Sequence, residues 1–219
     1  MVLVAGLDEA GRGPIIGPMV IAGVVIEEND FNRLISIGVK DSKLLSQKQR
    51  EKLFAKIIKI AINYKIIIIE PKEIDAALKS MHLNLNKLEA MKFAEIINVL
   101  NPNKAIIDCP SNNILIYKNY IGKFIKNKDI ELIIEHKADL NYVVVSAASV
   151  LAKVIREKEM EKIKKLYGDC GPGYMSNPIT QKFLELNWDR YPHIFRKSWI
   201  PYKSLEEEKS QTRLKDFLK

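Results

Sequence analysis

Five short runs rich in Val, Ile and Leu constrain this chain more than any other feature: residues 2–8 (VLVAGLD), 18–26 (PMVIAGVVI), 62–69 (INYKIIII), 104–108 (KAIID) and 130–135 (IELIIE). Each has the length and composition of a buried strand. Stretches with helical periodicity lie among and after them. Ser46 followed by Gln49 has the form of a capping box, and Leu53, Phe54, Ile57, Ile58, Ile60 and Ala61 come next at helical spacing. Leu88, Met91, Ala94, Ile97 and Leu100 mark a second helix before Pro102. Val150, Leu151, Val154, Ile155 and Ile163 mark a third, from Ser146 to about Tyr167. Strands mixed with helices in this way predict an α/β fold around a five-stranded sheet.

After Tyr167 the texture changes. Gly168, Gly171, Pro172 and Gly173 make a loop, and Asn177 is a good N-cap before a first-turn Pro178. A short helix, the aromatics Trp188, Tyr191, Phe195, Trp199 and Tyr202, and a charged end follow. The expected division is an α/β body over 1–167, a helical lobe packed on it over 168–205 and a charged tail over 206–219.

Composition narrows the class. With 47% hydrophobic and 28% charged residues, the chain of 219 is globular rather than disordered. The uncharged run Gly13–Ile26 contains Pro14 and Pro18 and is shorter than the roughly 20 apolar residues of a membrane span. No basic segment precedes Asp8, so a secretory signal is not expected and the cytoplasm is the expected location. Cys109 and Cys170 are far apart and give neither a disulfide framework nor a thiolate metal site. The formal net charge of +8 favours a polyanionic partner, though a lysine-rich surface is also ordinary.

The acids stand out by position. Asp8 and Glu9 end the first strand run, Asp108 ends the fourth, and Asp139 follows the fifth. Such acids converge on one edge of a sheet, where clustered carboxylates repel unless a hard cation such as Mg²⁺ or Mn²⁺ neutralises them. Adjacent strand residues face opposite ways, so Asp8 and Glu9 share one ion only if the strand ends at Asp8, a departure that Gly11 and Gly13 allow. Taken singly, each acid reads better as a solvated loop start.

Other motifs are weaker. The run Gly11-Arg12-Gly13-Pro14-Ile15-Ile16-Gly17 is not a dinucleotide loop, because its third glycine comes one position late and Pro14 removes an amide. It leaves either a tight loop with Arg12 aimed at phosphate or a plain turn with Arg12 in solvent. Lys40-Asp41-Ser42-Lys43 is either a phosphate-binding loop or an ordinary polar one. His82, His136 and His193 are too scattered for a metal motif, and Ser146 and Ser149 lie outside any G-x-S-x-G elbow.

In combination the segments say more. DEAGRGP at 8–14, KDSK at 40–43, IIDCP at 106–110, KADLNYVVVSAASVLAKVIR at 137–156 and GPGY at 171–174, in this order, closely resemble ribonuclease HII, most of all its archaeal form. The resemblance covers essentially residues 2–200. It implies a ribonuclease H-like α/β fold, with a central mixed five-stranded sheet flanked by helices and a C-terminal helical lobe. It also implies a four-carboxylate metal site that maps onto Asp8, Glu9, Asp108 and Asp139, the acids already singled out by position. By the same resemblance Gly11, Arg12 and Gly13 contact the 2′-hydroxyl of a ribonucleotide and its neighbouring phosphate. Tyr174 packs on the next sugar, and Lys40, Ser42, Lys43 and Ser146 contact phosphates. Archaeal members commonly carry GSGYPSDP where this chain has GPGYMSNP, so Pro172, Met175 and Asn177 depart from the pattern while Tyr174 keeps it.

The implied activity is two-metal hydrolysis with Mg²⁺ or Mn²⁺. It cuts the RNA strand of RNA·DNA hybrids, and cuts 5′ of ribonucleotides embedded in duplex DNA, leaving 3′-hydroxyl and 5′-phosphate ends. A nuclease of the same fold acting on DNA junctions, a type 1 ribonuclease H, and a non-catalytic nucleic-acid binding module are the alternatives. The chain is expected to act as a monomer away from membranes. At its end Gln211, Leu214, Phe217 and Leu218 follow the spacing Q-x-x-L-x-x-F-L, which resembles the peptide that docks repair enzymes on the sliding clamp. The same stripe is also able to fold back on the C-terminal lobe.

Overall fold

The computed structural model describes residues 1–39 and 45–217, with 212–217 described by backbone alone. In chain order the elements are β1 (Leu3–Ala10), β2 (Met19–Glu27), α1 (Phe31–Ser36), α2 (Gln47–Ile60), β3 (Asn63–Ile69), α3 (Pro71–Lys79) and α4 (Leu85–Leu100). After them come β4 (Lys104–Asp108), α5 (Ile114–Gly122), β5 (Glu131–Glu135), α6 (Ala138–Asn141), α7 (Val143–Tyr167), α8 (Pro178–Asn187) and α9 (Ile200–Phe217). The five strands form one mixed sheet in the order β3-β2-β1-β4-β5. β1 lies at its centre, antiparallel to β2 and parallel to β4, and β5 runs parallel to β4.

Strand alternation sorts the apolar residues into two cores. Ala5, Leu7, Ile21, Ala105 and Ile107 face Leu88, Phe93 and Ile97 of α4. Val4, Val20, Ala22 and Ile106 face Leu53 and Ile57 of α2 and Val144, Ala148 and Leu151 of α7. Each fully buried Val, Leu, Ile or Phe among them contributes roughly 1.5–3 kcal/mol of hydrophobic stabilisation. The helix α7 crosses β1 so closely that a Cβ on Gly6 would fall 2.2 Å from the Val144 carbonyl oxygen. Only glycine fits beneath that crossing.

The capping box forms as expected at the start of α2, and the Asn177 side chain accepts from the Ile179 and Thr180 amides at the start of α8. Two boundaries differ from the sequence reading. α7 begins at Val143 rather than Ser146, because Val143, Val144 and Val145 are buried against the sheet and packing overrides their β-branched preference. β1 continues through Glu9 to Ala10 instead of ending at Asp8, its pairing with β2 unbroken from Leu3 to Ala10.

A third core joins the C-terminal part to the body: Ile15 and Ile16 from the loop after β1 pack with Met160 of α7, Phe183 of α8, Phe195 and Tyr202. Backbone bonds reinforce the junction, from the Ile15 amide to the Gly173 carbonyl at 2.8 Å and from the Arg196 amide to the Ile15 carbonyl at 2.9 Å. The boundary expected at 205/206 falls inside α9, which runs unbroken to Phe217. Among the described residues no helix is long and apolar enough to cross a membrane.

Candidate active site

Three acids meet on the α7 face of the sheet. Asp8 leaves β1 on the same side as Val4 and Ala10, and Asp108 ends β4 on the side of Ile106. A tight turn after β5, with Lys137 in the left-handed region at φ 58°, swings α6 over the strand ends and brings in Asp139. The Ala138 amide donates to Asp108 Oδ1 at 3.2 Å, which fixes that turn to β4. One carboxylate oxygen from each of Asp8, Asp108 and Asp139 lies within 4.8 Å of the others.

The electrostatics are those of acids crowded out of water. Burial, with the neighbouring Asp108, pushes the Asp8 carboxyl up to about 7; the Ser149 hydroxyl, the Glu9 amide and Lys153 pull the other way. The Glu9 amide donates to Asp8 Oδ1 at 2.8 Å. Acceptor-only oxygens packed this tightly are the donor set that a hard divalent cation takes.

Glu9 does not join the three. Because β1 stays regular through Ala10, its side chain leaves on the opposite face, toward Glu89 of α4 and Tyr117 of α5. Burial, and then the charges of Asp8, Glu89 and Asp108, hold its carboxyl well above the usual range. Its Oε2 is buried without a hydrogen-bond partner. An orphaned carboxylate oxygen beside the cluster suits a group that approaches a cation, and it lines the adjoining cleft.

That cleft, about 540 Å³, is floored by Gly11, Arg12 and Gly13 and walled by Lys153, Arg156 and Tyr174. Gly11 sits at φ +81°, and a Cβ there would lie 2.1 Å from Arg156 Nε, so the loop and α7 close on each other only with glycine. Arg156 donates to the Pro172 carbonyl at 3.1 Å and holds its guanidinium 5.3 Å from the centre of the Tyr174 ring. Tyr174 is exposed at the cleft. The departures from the archaeal pattern shape this same loop, with Pro172 accepting from Arg156 and Asn177 capping α8.

Arg12 is engaged by the protein. Its Nε lies 3.0 Å from Glu89 Oε1, an ion pair poorly angled for a hydrogen bond, while its other nitrogens reach the Pro110 carbonyl at 3.2 Å and Asn86. Ser146 is a correction to the sequence reading: it is buried, and its hydroxyl donates to the Asp139 carbonyl, bracing the α6–α7 turn instead of facing the cleft. Lys40, Ser42, Lys43 and Leu218 lie outside the described residues. Gln211 is exposed on α9, and Leu214 and Phe217 are placed by backbone only. Sequence reasoning missed Lys153, Arg156 and Glu89. Glu89 left a readable trace, an acid on the apolar i, i+4 stripe Leu85-Glu89-Phe93-Ile97 of α4.

The ribonuclease HII family model matches residues 5–202. The ribonuclease HII of Pyrococcus horikoshii is 45% identical over 223 residues, covering 99% of each chain. The chain belongs to the ribonuclease HII family. It is therefore a hydrolase of the ribonuclease H endonuclease type. The fold agrees with the crystal structure of ribonuclease H2 from Pyrococcus horikoshii OT3, at a TM-score of 0.87 and 44% identity, covering 94% of this chain and 98% of that one. It also agrees with ribonuclease HII in the PCNA:RNase HII complex from Archaeoglobus fulgidus, at a TM-score of 0.81 and 37% identity, covering 90% and 95%. In this ribonuclease HII chain the triad of aspartates is a set that could bind metal.

Proposed function

We propose that this chain cuts the RNA strand of RNA·DNA hybrids and the phosphodiester 5′ of a ribonucleotide embedded in duplex DNA, leaving 3′-hydroxyl and 5′-phosphate ends, as a monomer in the cytoplasm. The observation that carries the reading is the meeting of Asp8, Asp108 and Asp139 within 4.8 Å, beside a cleft with a Gly-Arg-Gly floor and basic walls. The three aspartates would hold Mg²⁺ or Mn²⁺, with Glu9 as the fourth acid. When bound, such a cation supplies Lewis acidity toward a phosphate oxygen and makes water a better nucleophile at neutral pH. The chain's own groups do the rest. Lys153 and Arg156 attract the phosphates, Tyr174 offers an aromatic face to a sugar, and the loop at 11–13 meets a 2′-hydroxyl, the group that separates RNA from DNA.

Cleavage-site mapping on a DNA duplex with one embedded ribonucleotide tests this. A single cut 5′ of the ribonucleotide in Mg²⁺ or Mn²⁺, lost in EDTA, is expected. Cutting only of long hybrids, only of DNA junctions, or no cutting in either metal defeats it.

A second contact is part of the same proposal: docking on a sliding clamp through Gln211, Leu214, Phe217 and Leu218. The Archaeoglobus relative solved with PCNA supports it. Titration of a clamp with the full chain and with Phe217→Ala decides it, equal affinities counting against the tail.

A further inference from the structure

The segment from Arg196 to Trp199 lies outside every motif discussed above, yet its side chains hold the loop at 11–13 from beneath. Arg196 is fully buried. Its guanidinium donates to the Gly11 carbonyl at 2.6 Å, to the Arg12 carbonyl at 2.7 Å and to the Gly17 carbonyl at 3.1 Å. Trp199 Nε1 donates to the Gly13 carbonyl at 3.1 Å, and the Arg196 guanidinium lies 5.0 Å from the centre of its ring. Three successive carbonyls are thus drawn to one side by two side chains.

Peptide geometry fixes what the other side presents. In a trans peptide the carbonyl of one residue and the amide of the next point in opposite directions. With the Gly11 and Arg12 carbonyls turned to Arg196, the Arg12 and Gly13 amides turn away from it, and both residues line the cleft. Among the described residues neither amide has a protein acceptor. Pro14 has no amide to add, so the loop offers two neighbouring N–H groups, an arrangement that receives a ligand oxygen.

The fork is itself held. Asp75 of α3, buried, accepts from the Lys197 and Ser198 amides, both at 2.9 Å, and from the Ser198 hydroxyl. α3 therefore fixes the segment that fixes the loop.

We propose that Arg196 and Trp199 are positioning residues for ribonucleotide recognition, orienting the Arg12 and Gly13 amides toward the 2′-oxygen of the substrate sugar. The proposal rests on the reading that the 11–13 loop recognises a ribonucleotide, and goes beyond it by naming what gives the loop its shape. An arginine suits this place because its planar fork reaches three carbonyls at once, whereas lysine has a single point of charge.

The test measures binding without turnover. Fluorescence anisotropy in EDTA gives dissociation constants for a duplex with one ribonucleotide and for the all-DNA duplex of the same sequence. The parent chain is expected to prefer the first. Arg196→Lys should reduce that preference by about tenfold, and Trp199→Phe, which removes one N–H and keeps the ring, by about threefold. Affinity for the all-DNA duplex should stay within twofold, and so should Mn²⁺ affinity by calorimetry. A purely structural defect would weaken both duplexes together. Such parallel weakening, unchanged preference in both variants, or a parent without preference overturns the proposal. If Arg196→Lys does not fold, Trp199→Phe decides alone. Cleavage mapping judges the enzymatic reading separately, so one can fail while the other stands.

Discussion

The two faces of β1 treat acids differently. On the α7 face, Asp8 meets Asp108 and Asp139 at the end of the sheet. On the α4 face, one residue further on, Glu9 meets Glu89, and there the chain supplies its own cation: Arg12 Nε stands 3.0 Å from Glu89, which is fully buried. Burial still outweighs that partner, and the Glu89 carboxyl is pushed up to about 7. The first face gathers oxygens at the distance a metal ion needs. The second spends its negative charge on anchoring an arginine at the floor of the cleft. A single strand, by alternation alone, separates the three clustered aspartates from the acid that holds Arg12.

The hardest test of that division is removal of a negative oxygen from the first face. Asp8→Asn or Asp108→Asn should lower turnover about 10³-fold or more, because a bound metal contributes several kcal/mol to the barrier and each 1.4 kcal/mol is a factor of ten. Circular dichroism should be unchanged. Activity within a few fold of the parent would mean that the metal sits elsewhere.

A smaller effect is expected from Glu89→Gln, which keeps the shape and removes the charge beside Arg12. KM for a ribonucleotide-containing duplex should rise about tenfold, the worth of one charge-assisted contact. Mn²⁺ affinity measured by calorimetry should hold within twofold. If metal affinity collapses as well, the two faces form one site.

The smallest effect concerns stability. Asp8 and Glu89 both have folded pKa values raised to about 7, from ordinary values of 3.8 and 4.5. Between these limits the folded chain holds more protons than the unfolded one, so the metal-free protein loses stability as pH rises from about 4 to about 7. Asp8→Asn should remove its share of that decline. The variant is expected to melt roughly 2–4 °C above the parent at pH 7.5 in EDTA for each 1 kcal/mol relieved, and level with it near pH 4. Saturating Mg²⁺ should erase the difference by raising the parent. A variant that melts lower than the parent at pH 7.5 would show that the Asp8 charge is already balanced within the fold.

Much of this was legible in the chain itself. Five β-branched runs became five strands, and the Ser46–Gln49 and Asn177 caps start helices where local chemistry requires. The acids were legible by their places at strand ends. The strand stop at Asp8 that would have let Asp8 and Glu9 share one face is absent, because pairing with β2 continues to Ala10. What stayed hidden depended on distant partners. Arg196 lies in an aromatic-rich stretch, and nothing local says that its acceptors lie 179 to 185 residues earlier. The early start of α7 was hidden for a related reason, since three consecutive valines argue for a strand until the sheet beneath them is known.

The crossing at Gly6 has a consequence for how this enzyme can change. Gly6 lies two residues before Asp8 on the same face, under the start of α7, which begins four residues after Asp139. The spacing between the acid from β1 and the acid from α6 is therefore gauged in the core, by the thickness of a bare backbone pressed against a helix. A single added methyl would act as a shim, lifting the helix and opening the jaws of the site without touching a carboxylate. For this protein a core position and an active-site dimension are one physical constraint.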